Sequence, residues 1–315
     1  MKLLVTGASG FVGGGVFRRA RELGWDVRGI GRRSGTEPGY LSADLTQPLA
    51  IDFTPDVVVH AAARSSPWGA RREFERQNVL ATRRILDFCA QRGRPHLIYI
   101  STGAVLYRQQ HQLNLDEQTP YPANPINEYA RSKILAEQLI QTYSGPACIL
   151  RPRAVFGPGD TVVFPRIIKA LRRGKLPLLE ADRPVIGDLV YSETLTDYII
   201  RAIERRATGI YHVTNGEPIE IYQLLGKICD ALGLPCPTRR VPVQRALAAA
   251  KWIERFYRCL PFLGEPPITQ FGVSVFAWSK TFSMEKTRRE FGEPLVGLEE
   301  GVRRFVAWQQ TQHSR

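Results

Sequence analysis

The sequence predicts an α/β chain built on a doubly wound parallel sheet, with a smaller C-terminal cap for binding substrate. Three observations predict it. The chain opens MKLLVTGASGFVGGG, an apolar run that breaks into small residues before an amphipathic stretch. Apolar runs and helical stretches then alternate without an internal repeat, the pattern of strands and helices that yields a parallel sheet. The alternation loosens in a proline-rich final third. At 315 residues the chain can bury a full core. Residues 1–160 are expected to form the core of the large domain, and 161–315 a mixed segment that completes the sheet and forms the cap.

The first strand is read over Lys2 to Thr6 and the following helix over Phe11 to Leu23. Gly7, Gly10 and Gly13 fall on the turn between them. Glycines there permit a tight turn, close approach of a pyrophosphate to the backbone, and close packing of helix on strand. The helix N-terminus adds free N–H donors and partial positive charge. Gly7, Ser9, Gly10, Phe11 and Gly13 are therefore candidate cofactor contacts, an ordinary βα turn being the alternative. The second strand, Asp26 to Ile30, runs into Gly31-Arg32-Arg33-Ser34, where dinucleotide folds place the acid that binds a free ribose 2′-hydroxyl. Arg32 and Arg33 stand there instead. Guanidinium pairs well with phosphate, which favours NADP(H) over NAD(H); a solvated basic turn is the other reading.

Tyr40 to Ala43 reads as a third strand, followed by Asp44 and Leu45, placed to touch an adenine edge. Val57 to His60 is a continuous apolar strand, and the small residues Ala61, Ala62 and Ala63 after it again suggest a neighbouring cofactor. A helix over Glu73 to Gln91 leads into the strand His96 to Ser101. Gln110 to Pro125, polar and proline-rich, reads as a loop that delivers the chain to a helix beginning near Asn127 and carrying YARSK. A strand at Ala147 to Arg151 and the turn RAVFGPGD follow. Ligands of open α/β sheets bind at the carboxyl ends of the strands, which the cap is expected to cover.

Composition narrows the classes. Five cysteines, with no CxxC pair, suggest reduced thiols in a cytoplasm, and neither they nor the five histidines have metal-ligand spacing. The amino terminus shows no signal-peptide pattern, and no run of about eighteen apolar residues occurs. The formal charge of +13 is scattered over nearly every helix. No nucleic-acid module accompanies it, so an anionic cofactor, acidic substrate or anionic lipid surface is the expected partner. VQRALAAAKWIERFYRCL, residues 243–260, separates apolar and basic residues in a way that suits a membrane surface or the closing of a cleft.

Tyr129 and Lys133 lie four apart on one helix face. An ammonium beside a phenol favours the phenolate and lowers a pKa that starts near ~10. Thr102, at the end of the preceding strand, can hydrogen-bond a reacting oxygen. In this order TGASGFVG, Asp44-Leu45, His60-Ala61-Ala62, Asn78, STGAV, YARSK and RPRAVFGPGD resemble the extended short-chain dehydrogenase/reductase family, over essentially the whole chain. The resemblance implies a Rossmann-type sheet, Tyr129 as general acid/base, Lys133 on the nicotinamide ribose, and Thr102 rather than Ser101 polarising the carbonyl. It implies for Asn78 a structural or a catalytic role, adds Pro152, Ala154 and Val155 to the cofactor contacts, and suggests Trp68, Gly103, Ala104 and Phe164 for substrate. A homodimer is a further family expectation.

Sugar-nucleotide members of the family are similar to one another in R-x-x-N, whose asparagine meets the diphosphate; here the position is Ala154. Dehydratases carry an Asp-Glu pair where this chain has Gly103-Ala104. SPWG at 66–69, VTNGEPI at 213–219 and the stretch from Gly264 to Gly292 instead resemble the 3β-hydroxysteroid dehydrogenase branch, with its sterol-4α-carboxylate dehydrogenases and β-keto acid reductases of olefin synthesis. That implies a hydrophobic alcohol or ketone, with Phe262, Phe271, Phe276 and Trp278 as pocket candidates. A nucleotide-sugar epimerase and a non-catalytic NADP-binding sensor are the alternatives.

Overall fold

The computed structural model describes residues 1–313. Its centre is a seven-stranded, all-parallel sheet. The chain enters it at β1 (Lys2–Thr6), crosses helix α1 (Phe11–Glu22) to β2 (Asp26–Gly31), and continues to β3 (Tyr40–Ser42) at one edge. It then returns to the other side of β1 with β4 (Val57–His60) and β5 (His96–Ile100). After a short strand β6 (Gln112–Leu115), which lies outside this sheet, β7 (Ala147–Pro152) and the strand Gly209–Val213 complete the second edge. The reversal of direction on either side of β1 opens a crevice at the carboxyl ends of β1 and β4, the usual ligand position in such sheets.

The strands read as apolar runs because both faces are covered: every residue of β4 and β5 is buried. One face packs on α1 and α6 (Ser192–Glu204), through Val16, Phe17, Leu195 and Ile199. The other packs on α3 (Ala81–Gln91) and α4 (Glu128–Gln141), through Ile85, Phe88, Ala136 and Ile140. The helix before β5 begins at Arg71 and is interrupted: α2 (Arg71–Phe74) and α3 are joined by a π-helical turn, Glu75–Leu80. Asn78 sits in that turn. Such turns insert a residue into a helix and re-aim its side chains, often beside a functional site.

The polar segment expected as loop, 110–125, contains β6, a correction to the sequence reading. Its partner is the strand Lys280–Phe282, parallel to it and supplied from far along the chain, so nothing local marks it. Beyond residue 160 the chain also adds α5 (Phe164–Arg172), α7 (Ile221–Leu232), α8 (Val243–Cys259), α9 (Gln270–Ala277), α10 (Glu285–Phe291) and α11 (Leu298–His313). Phe156, Phe164, Leu224, Ile228 and Phe305 form a separate aromatic-rich core.

Candidate active site

The glycine turn is closed by backbone. Gly7 has φ +73°, and a Cβ there would lie 2.8 Å from the Ala62 nitrogen. A Cβ on Gly13 would run into the Gly7 carbonyl, so helix and turn pack as closely as peptide atoms allow. The N-cap of α1 is Gly10, with no side-chain cap and no acid in the first turn. Among the described residues, no side-chain oxygen caps its first N–H groups, which suits a pyrophosphate. Ser9 is exposed beside Gly31, and Phe11 packs near Gly159. The residues present fit a dinucleotide.

Arg32 and Arg33 leave the end of β2 with exposed side chains. Their backbone is pinned, because the Tyr40 hydroxyl donates to the Arg33 carbonyl at 2.6 Å and the Ser42 hydroxyl to that of Arg32 at 3.3 Å. Among the described residues, no carboxylate forms an ion pair with either guanidinium. Asp44 follows β3; its carboxylate accepts from the Thr46 N–H at 2.9 Å, which with Arg76 and Arg32 holds its pKa below the usual value. Leu45 is buried beside it. Ala61 and Ala62 line the turn across from Gly7 and Ala63 is exposed; the Ala62 N–H donates to the Thr6 hydroxyl. His60, bridged between the hydroxyls of Thr6 and Thr82 at 2.7 and 3.1 Å, is pushed down to about 3 by burial and by Lys133. It is a neutral strut.

Helix α4 brings the chemistry to this crevice. Asn127 caps it, its side chain accepting from the Ala130 N–H at 2.8 Å. Tyr129 is half-buried, with Phe74 6.3 Å from its ring, and Thr102, at the end of β5, lies near enough to its hydroxyl to favour the phenolate. Thr102 Oγ1 also accepts from the Ala104 N–H at 3.2 Å, which leaves its own proton free to donate. Ser101 points away, its hydroxyl bonded to the buried carboxylate of Glu137. Lys133, one turn after Tyr129, is 1% exposed; its Nζ donates to the Ile100 carbonyl at 2.6 Å and lies 4.2 Å from the centre of the Tyr99 ring.

The acid–base balance differs from the expected one. Burial pushes Tyr129 up to about 12, with Thr102 opposing and Tyr107 adding to the rise, and burial brings Lys133 down to about 7. The ammonium is spent on the Ile100 carbonyl and the Tyr99 face, so loss of solvent outweighs any help it gives the phenolate. Asn78 accepts from the Arg64 N–H at 2.7 Å and donates to the Arg64 carbonyl and, at 2.8 Å, to Ser132. It clamps the segment after β4 to α4.

Ala154 holds φ +45°, directly after Arg153, and Val155 pairs with Val190. Pro152 ends β7 opposite Val213. Trp68 is half-buried in the turn after β4, with the guanidinium of Arg258 5.5 Å above its ring. The other three substrate candidates sit in packed positions. Phe164 is 3% exposed and packs in the aromatic core, where the Asp160 carboxylate caps the start of its helix at 2.9 Å. Gly103 and Ala104 turn inward: a Cβ on Gly103 would lie 2.6 Å from the Phe282 ring, and Ala104 packs beside the same ring. Of the pocket candidates, Phe262 is 81% exposed, while Phe271 stacks on Tyr107 and Phe276 lies against Tyr222. Trp278 is half-buried against the core between α8 and α9.

Two buried networks escaped the sequence reading. Glu137, one turn after Lys133, receives Arg151 at 2.6 Å, Tyr121 at 2.6 Å and Ser101. Farther along, Arg153 donates to the Asp188 carbonyl and approaches Tyr107, and Lys280 lies over the Tyr107 ring at 5.7 Å. The first left a signal, an acid four residues after Lys133 on the buried face of α4; the second is assembled from remote segments and left none.

A glycine turn at the switch point of a parallel sheet, with a Tyr-x-x-x-Lys helix reaching a strand-end threonine, defines an extended short-chain dehydrogenase/reductase. A model of the NAD dependent epimerase/dehydratase family matches residues 3–215, and the chain belongs to that family. It is 32% identical to a 2-alkyl-3-oxoalkanoate reductase of Stenotrophomonas maltophilia, over 98% of this chain and 99% of the relative. It is 30% identical to 3beta-hydroxysteroid-dehydrogenase/decarboxylase isoform 1 of Arabidopsis thaliana, over 85% of this chain and 66% of the relative. Among solved structures, MoeE5 in complex with UDP-glucuronic acid and NAD superposes with a TM-score of 0.75 at 20% identity, over 99% of this chain and 100% of that one, a likeness of fold.

Proposed function

We propose that the chain is an NADP(H)-dependent oxidoreductase that interconverts a secondary alcohol and a ketone on a hydrophobic, steroid-like or β-keto/β-hydroxy acyl substrate. The observation that carries this reading is Tyr129 on α4 beside Thr102 at the end of β5, with Lys133 buried one turn farther along the same helix. When bound, the nicotinamide supplies or accepts the hydride. Tyr129, held protonated at neutral pH by burial, donates its proton to the carbonyl oxygen during reduction. Thr102, anchored by the Ala104 N–H, donates a second hydrogen bond to that oxygen and orients it. Lys133 positions the nicotinamide ribose, and the unpaired guanidiniums of Arg32 and Arg33 receive the 2′-phosphate. The full-length similarity to a 2-alkyl-3-oxoalkanoate reductase supports the substrate class, as does Ala154 in place of a diphosphate-binding asparagine.

Calorimetry on the NADPH-loaded protein tests the reading, comparing β-keto acids and 3-ketosteroids with UDP-sugars. The hydrophobic series is expected to bind and to oxidise NADPH, with UDP-sugars silent; micromolar UDP-sugar binding with no response to the series replaces this reading with the epimerase. Arg32→Ala/Arg33→Ala should weaken NADPH roughly tenfold or more and leave NADH unchanged, because only NADPH offers the phosphate that a charged hydrogen bond needs. Equal loss for both nucleotides would remove the NADP preference.

A further inference from the structure

The outer face of α8 and the turn after it are not used by this chemistry. Inside, Ala246, Ala250 and Glu254, spaced by four, are buried against α9 and its surroundings. Glu254 accepts from the Gln270 backbone N–H at 2.8 Å and from its side chain at 2.7 Å. It is the one acid between Val243 and Leu263, and the fold withdraws it from the surface. Outside stand Arg245, Lys251, Arg255 and Arg258, all exposed. Arg258 reaches back to Glu254 at 4.0 Å; among the described residues, the other three have no ion-pair partner. Between these cations project Trp252, 71% exposed, Phe256, 56%, and, on the following turn, Phe262, 81%. A soluble surface does not ordinarily hold three large aromatics in water on one short segment. Aromatic rings and cationic side chains sharing one helix face match the headgroup layer of a bilayer, where rings sink below the phosphates and Lys and Arg stay among them.

We propose that this face docks the enzyme on an anionic lipid surface, Trp252, Phe256 and Phe262 entering the interface and Arg245, Lys251 and Arg255 facing lipid phosphates. A second copy of the chain suits it poorly, because a two-fold contact through this face would set the cation row against itself. The face adjoins the crevice: Arg258 covers Trp68, in the turn that follows Ala61–Ala63. No helix among the described residues is long and apolar enough to cross a membrane, so contact is confined to the surface.

Sedimentation of the full-length protein with vesicles tests the docking independently of turnover. Binding is expected with mixed phosphatidylcholine and phosphatidylserine, little with phosphatidylcholine alone, and less as salt screens the charge. Trp252→Ala/Phe256→Ala/Phe262→Ala and, separately, Arg245→Gln/Lys251→Gln/Arg255→Gln should each lower partition at least tenfold, with thermal unfolding and NADPH titration as in wild type. Quenching of fluorescence by brominated acyl chains should disappear in Trp252→Phe. Failure of wild type to bind the mixed vesicles overturns the proposal, as does wild-type binding by the charge variant, which decides the matter if the aromatic variant does not fold. A solution dimer that the aromatic variant converts to monomer also overturns it, and assigns the face to a second copy. If the vesicles bind and no ketone reacts, the docking stands and the substrate reading falls.

Discussion

Tyr129 and Lys133 show how burial governs a site that spacing alone describes. Their separation of four residues, and Thr102 at a strand end, were legible in the sequence because helix and strand periodicities place them. The direction of the tyrosine's shift was not, because it depends on how much water the surrounding rings exclude, and that is a property of the assembled cap and helix. With the phenol near 12, the protein holds a proton donor at neutral pH instead of a phenolate. Tyr129→Phe keeps the ring against Phe74 and removes the proton. Turnover should fall roughly 10²-fold or more, with NADPH affinity unchanged by fluorescence titration. Near-normal turnover of any true substrate would take the proton transfer away from this residue.

Helix α4 serves as a strut as well as a carrier of the tyrosine. Glu137 is fully buried and Arg151 is 2% exposed, and their contact ties the helix to β7, while Ser101 ties the same carboxylate to the end of β5. The three elements that present Tyr129, Lys133 and Thr102 are thereby fixed to one another. Arg151→Met would leave a carboxylate in the interior without its cation, so unfolding in urea should show a loss of about 3–5 kcal/mol. Glu137→Leu/Arg151→Met removes both charges and should cost less than the single change; a double variant that is the less stable of the two would show that the pair contributes net attraction beyond its desolvation. The alternation of apolar runs revealed the central strands and helices because each buries a whole face. The π turn around Asn78 and the strand β6 were not legible: the first is an insertion within a continuous helical pattern, and the second exists only through Lys280–Phe282, far along the chain.

At the scale of the whole molecule, the family match ends at residue 215, and what lies beyond is joined to the nucleotide-binding half through that same remote pairing. Lys280 is its buried centre, with no exposure and with Nζ donating to the carbonyls of Gln110 at 2.5 Å and Ser279 at 3.4 Å. Burial, reinforced by Arg153, lowers its pKa to about 7, against 10.5 for the ordinary side chain. The sign follows from proton counts. Between these two values the unfolded chain holds a proton that the folded chain has released, so this lysine makes the fold more stable as pH rises, by at most about 1.4 kcal/mol per pH unit. Below pH ~7 both states carry the charge, and the full cost of burying it is felt. Lys280→Met lacks the titration but keeps a flexible side chain of similar length. Its stability relative to wild type should therefore be highest near pH ~6 and fall steadily toward pH ~9, as read from urea midpoints; Lys133 and the buried thiols titrate in both proteins and cancel in the difference. A gap that does not change with pH would mean that Lys280 stays charged in the fold, held by its two carbonyls as firmly as by water.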